Sequence, residues 1–204
     1  MGDQENILCS DCMEQLSLID PQTRCKRCFR EKEGLEISAC SFCAHEPNPI
    51  YKKAAAWDSQ SAGMTLIKKH KASYTDLAGA FMTMQLSQLD WPMPDVIVPV
   101  PDRFSQVLDR GYDQNLLLAK QVSKLTKVPM KNALRRRLMT SVYNELPEEA
   151  FQLKKKGEVT EKTVLLIEEG TISSKTLKQS AFALLDDCPK SIYALTAVLT
   201  NSDR

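Results

Sequence analysis

Beyond residue 50 of this 204-residue chain, apolar positions alternate between two spacings. Leu77, Phe81, Met84 and Leu89 recur near one face of a 3.6-residue turn, and together with the apolar stretch before them they predict helices over 64–71 and 74–89. Trp91-Pro92-Met93-Pro94 stops the second helix, because proline cannot continue the ladder of amide bonds. Val96-Ile97-Val98-Pro99-Val100-Pro101 is then a short run of mostly β-branched residues, the texture of a strand buried on both faces of a parallel sheet. A helix over 115–126, a strand over 163–167, a helix over 174–185 and a strand over 192–199 follow by the same reasoning. Strands separated by helices predict βαβ units, hence an α/β fold with a parallel sheet flanked by helices. Residues 1–49 show no such period. The two prolines of His45-Glu46-Pro47-Asn48-Pro49 mark a boundary between a small module, 1–49, and an α/β domain, 50–204.

Composition explains how the first segment holds together. Six of the seven cysteines lie in it, as Cys9-Ser-Asp-Cys12, Cys25-Lys-Arg-Cys28 and Cys40-Ser-Phe-Cys43. A segment that cannot build a core needs a staple, and C-x-x-C turns bring two thiolates to one ion. Two turns complete a tetrahedral zinc site. A redox C-x-x-C would follow a strand in a βαβ unit, which is absent here. Six thiols exceed one zinc and fall short of two separate ones. Either a pair is left over, or Cys40 and Cys43 recruit His45; the plainer reading of His45 is a loop histidine. Cys188, alone at a late helix end, reads as a small buried apolar residue. The polar, acidic N-terminal residues lack the features of a secretory signal, and no run reaches the roughly 18 apolar residues that span a bilayer. The expectation is a cytoplasmic protein with reduced thiols.

Net charge is +1, yet residues 1–50 carry 5 Lys/Arg against 9 Asp/Glu and the remainder 22 against 17. Lys120, Lys124, Lys127, Lys131, Arg135, Arg136 and Arg137 crowd one segment, followed by Lys154, Lys155 and Lys156. Such a cluster suits an anionic ligand, and it equally suits a solvated helix face.

A cysteine-pair module, then Val98-Pro99-Val100-Pro101, then eight residues, then Arg110-Gly111-Tyr112-Asp113-Gln114 resembles the ComF family of competence-associated proteins. Those proteins join a zinc module to a type I phosphoribosyltransferase domain, and residues 51–71 look like their link between the two. The resemblance implies that Pro101, Asp102 and Arg103 approach the pyrophosphate of phosphoribosyl pyrophosphate, and that Arg110 lies in the mobile basic loop. Read without it, the Arg110 segment is a helix-start turn. The resemblance also implies that the acids after the Val164–Ile167 run hold the ribose hydroxyls, here Glu168 and Glu169, with Mg²⁺ bridging substrate oxygens. The turn that follows, Gly170-Thr171-Ile172-Ser173-Ser174-Lys175-Thr176, would take the 5′-phosphate at a helix N-terminus. Ordinary helix capping by Ser173 or Ser174 accounts for the same residues. Three departures stand out: glutamates replace aspartates, Ile172 replaces a threonine, and Ser174 replaces a glycine. The family commonly has four cysteine pairs, so three imply one complete zinc site. Cys9, Cys12, Cys25 and Cys28 are its expected ligands, with Cys40 and Cys43 replacing one pair or binding a weaker ion.

Two functions from different classes follow. One is a phosphoribosyltransferase-like enzyme that binds phosphoribosyl pyrophosphate, linked to nucleotide metabolism or DNA uptake. The other is a non-catalytic descendant that binds single-stranded DNA or DNA-uptake proteins, through the basic segment or through the zinc module as an adaptor.

Overall fold

The structure is a computed structural model that describes residues 9–32, 40, 43, 48–69, 71–137, 150–170 and 174–199. In chain order the elements are α1 (Ser10–Glu14), a 3₁₀ turn (Pro21–Thr23), β1 (Lys52–Asp58), α2 (Ala62–Lys68), α3 (Ala72–Gln88), β2 (Val96–Pro99), α4 (Phe104–Arg110), α5 (Gln114–Thr126), β3 (Leu134–Arg136), β4 (Phe151–Leu153), β5 (Thr163–Glu168), α6 (Ser174–Leu185) and β6 (Ser191–Leu199). Four strands form a parallel sheet in the order β1-β6-β5-β2, and β3 pairs antiparallel with β4. The α/β class with a parallel, helix-flanked sheet and an N-terminal cysteine cluster is therefore observed.

Side-chain alternation divides the interior between the two faces of the sheet. Ile97, Leu165, Ile167 and Leu195 point into a cluster with Trp57, Ile67, Met82 and Leu118, beneath α2, α3 and α5. Val96, Val98, Leu166 and Ile192 point the other way, against Leu177 and Leu184 of α6 and Phe151 of β4. The apolar runs near 96 and 163 are continuous because their strands are buried on both faces.

Several elements differ from expectation. The two helices over 64–71 and 74–89 run over Ala62–Lys68 and Ala72–Gln88. β1 occupies residues read only as a link, and α4 and the β3–β4 pair were not anticipated. Cys188 is exposed, in a left-handed turn at φ 48°, so it is not a buried apolar residue. Its main chain ends α6, with its amide bonded to Leu185 O.

The cysteine-rich segment shares the first core. Leu16, Ile19 and Phe29 belong to it. Ile19 N–H donates to Ala56 O at 3.0 Å and Lys53 N–H to Arg27 O at 2.8 Å, so the segment covers the outer edge of β1. Gln85 donates to Ile19 O at 3.0 Å, and Arg24, 7% exposed, pairs with Asp58 at 2.8 Å.

Candidate functional site

Parallel strands present their carboxyl ends along one edge, and at a crossover a cleft opens there. Here it opens beyond β2 and β5, lined by Pro101, Asp102, Arg103, Asn115, Glu168 and Glu169, with Gln106, Arg136 and Thr176 completing it. The short α4 ends on Arg110, Gly111 turns the chain at φ 78°, and Asp113 caps α5 by accepting from Leu116 N–H at 2.8 Å. This corner is the Arg110–Gln114 segment.

Most polar groups of the cleft are bound to one another. Arg110 donates to Glu169 at 3.2 Å and to Gln114 at 3.0 Å, and lies 3.8 Å from Asp102. Its side chain is only 11% exposed. Asp102 accepts from Gln114 N–H at 2.9 Å and from Asn115 at 2.8 Å. Asn115 also donates to Val100 O at 2.9 Å and accepts from Glu169 N–H at 2.6 Å. Arg110 therefore belongs to a packed helix corner and not to its surface.

Glu168 differs from its neighbour. It is 8% exposed, lines the cleft, and its carboxylate makes no hydrogen bond or ion pair among the described residues. Burial, then the charges of Glu169 and Asp102, push its carboxyl up to about 8 against the pull of Arg136 and Lys53. Burial, with Asp113 and Glu169, likewise raises Asp102 to about 7, opposed by the Gln114 amide and Arg110. An ionisable oxygen that is buried, unbonded and open to a cleft suits a hydroxyl or a hard cation such as Mg²⁺.

Two guanidiniums face these acids. Arg103 and Arg136 both line the cleft, and neither forms an ion pair among the described residues. Burial and then the charge of Arg103 lower the pKa of Arg136, while Asp102 and Glu168 raise it. Arg136 lies over the Phe151 ring at 5.1 Å. Sequence reasoning grouped Arg135, Arg136 and Arg137 as one basic run. Strand alternation was the signal that could have singled out Arg136.

Of the remaining expected positions, Gly170 ends the strand–loop junction at φ 82°, where a Cβ would run into Val198 O and Thr196. Thr171, Ile172 and Ser173 lie outside the described residues, as does the side chain of Ser174. Ser174 opens α6, Thr176 lines the cleft and Lys175 is exposed.

The thiols assemble elsewhere in the chain. Cys25, Cys28, Cys40 and Cys43 have all their Sγ atoms within 4.8 Å of one another. Separations of 3.8 Å for Cys25–Cys43, 3.4 Å for Cys28–Cys40 and 3.5 Å for Cys40–Cys43 approach the ~3.8 Å expected around a tetrahedral ion with 2.3 Å Zn–S bonds. The second and third pairs meet here, the arrangement expected where Cys40 and Cys43 replace one pair of the expected set. The physical reason is local: Cys9 is exposed at the N-cap of helix α1, whereas Cys25 and Cys28 sit in a turn that folds towards Cys40 and Cys43. The side chain of Cys12 and His45 lie outside the described residues. Burial opposes ionisation of Cys25, yet the main-chain amides of Cys28, Cys40 and Arg27 bring it down to about 6. Burial pushes Cys28 up to about 11 and Cys43 higher still. Thiols this close cannot all ionise without a cation, so the donor set fits zinc.

No family model and no curated protein matches the chain. Among solved structures it is similar to a glutamine phosphoribosylpyrophosphate amidotransferase from B. subtilis complexed with ADP and GMP, with TM-score 0.44 and 16% identity over 62% of this chain and 26% of that one. It is also similar to a structure described as the allosteric regulatory enzyme of purine biosynthesis, with TM-score 0.43 and 15% identity over 63% and 25% of the respective chains. The chain thus spans about a quarter of the length of either. Among the described residues, no helix is long and apolar enough to cross a membrane.

Proposed function

We propose that this protein binds phosphoribosyl pyrophosphate with Mg²⁺ in the cleft beyond β2 and β5, as a ComF-like phosphoribosyltransferase domain would. The observation that carries the reading is Glu168: a buried carboxyl that makes no hydrogen bond among the described residues, in a cleft it shares with two guanidiniums that likewise form no ion pair among them. A ligand carrying hydroxyls and phosphates satisfies both kinds of group at once. Glu168 takes the ribose hydroxyls and Mg²⁺, and Arg103 and Arg136 take the pyrophosphate. The N-terminus of the 12-residue α6 takes the 5′-phosphate. Glu169 and Arg110, bound to each other, hold the corner instead of contacting the ligand. Mg²⁺, with Glu168 as the residue that would hold it, would supply positive charge to neutralise the pyrophosphate. Zinc at Cys25, Cys28, Cys40 and Cys43 would staple the N-terminal segment to β1.

Hydrogen exchange with and without Mg²⁺–phosphoribosyl pyrophosphate tests the location. The loops at 100–103 and 168–170 are expected to gain protection together. Protection confined to the face of α5 would contradict the reading.

A second reading has its own observation. Lys120 and Lys124, one turn apart on α5, and Lys127 just past its end are all exposed. Single-stranded DNA held there would bind electrostatically, with an affinity that falls steeply as salt rises. Mobility shifts between 50 and 200 mM salt separate this reading from the first: no shift at low salt contradicts it.

A further inference from the structure

Asn115 is 3% exposed at the second position of α5, and nothing in the ligand assignment above uses it. Its amide ties together the three chain segments that build the cleft. The NH₂ group reaches Val100 O at the end of β2 and Asp102 Oδ1 in the following loop. The carbonyl takes Glu169 N–H at the end of β5. A side-chain amide is the group of this length that donates twice and accepts at the same time.

We infer that Asn115 is a positioning residue, which sets the separation between the loop after β2 and the loop after β5 at which the cleft accepts its ligand. The inference rests on the phosphoribosyl pyrophosphate reading. Without the amide, Val100 O and Glu169 N–H would each lose this buried partner, and Asp102 would lose a donor. The two loops would then be free to separate. A displacement of about 1 Å in such a site can cost on the order of 10²-fold.

Two variants test this, with Mg²⁺–phosphoribosyl pyrophosphate titrated calorimetrically between pH 5.5 and 8 in zinc-containing buffer and Glu169 amide exchange measured alongside. Asn115→Leu removes donor and acceptor. Asn115→Asp keeps shape and acceptor and recovers a donor only when protonated. Both are expected to bind at least ~10-fold more weakly than wild type at pH 8. The deficit of Asn115→Asp relative to wild type should close as pH falls, while that of Asn115→Leu persists to pH 5.5. Glu169 amide exchange should accelerate in Asn115→Leu and stay slow in Asn115→Asp. Wild-type affinity in Asn115→Leu overturns the inference and leaves the ligand reading standing. If Asn115→Leu does not fold, a pH-independent deficit in Asn115→Asp overturns it. If wild type itself shows no binding, the ligand reading fails, and unchanged Glu169 exchange in Asn115→Leu would then overturn the inference as well.

Discussion

Desolvation beneath the carboxyl edge of the sheet, reinforced by neighbouring carboxylates, holds Glu168 near 8 and Asp102 near 7. Their ordinary values are 4.5 and 3.8, so between those values and 7–8 the folded chain binds protons that the unfolded chain has lost. Stability from these groups is present at low pH and lost as pH rises through the window. With zinc saturating, the unfolding free energy should therefore fall between pH 6 and pH 8, by up to ~1.4 kcal/mol per pH unit for each group. Glu168→Gln should flatten that slope in denaturant titrations; an unchanged slope contradicts the burial argument. Gly170 belongs to the same scale. Gly170→Ala places a methyl group against Val198 O at a left-handed φ, and should cost about 2 kcal/mol or more in the same titrations. Glu168, Glu169 and Gly170 were legible as candidates through the family resemblance, which places two acids and a turn directly after the apolar run at 164–167. Arg136 and Asn115 were not, since their roles come from strands and loops that meet only on folding.

Covering β1 links the thiol cluster to the sheet. Arg27 lies between Cys25 and Cys28, and its carbonyl accepts from Lys53 N–H, while its side chain reaches Cys43 O at 3.2 Å. A metal that fixes this turn also fixes the cover on the edge strand. Chelation should accelerate exchange of the Lys53 and Ile19 amides by at least ~10-fold while leaving β5 protected, and zinc should restore them. Mass-spectrometric exchange reads this directly, and unchanged Lys53 exchange would uncouple the cluster from β1. The sequence Lys52-Lys53-Ala54-Ala55-Ala56-Trp57-Asp58 did not read as a strand because alanine favours helices and is depleted in sheets. Pairing with β6 and burial of Ala55, Ala56 and Trp57 override that preference. The runs at 96 and 163 needed no such override, so their strands were legible.

For the molecule as a whole, the α/β architecture followed from alternating texture, and the cleft lies at the sheet edge where such folds bind ligands. What the chain alone could not convey was which charges are already spent. Arg110 and Glu169 neutralise each other in the corner, leaving Glu168, Arg103 and Arg136 facing the cleft. Calorimetric titration of phosphoribosyl pyrophosphate in the presence of Mg²⁺, on wild type and on Arg136→Ala, tests this most directly. The account predicts saturable one-to-one binding by wild type, weakened at least ~10-fold in Arg136→Ala by loss of a charge-assisted contact. No saturable binding by wild type, or equal binding by both proteins, would contradict it.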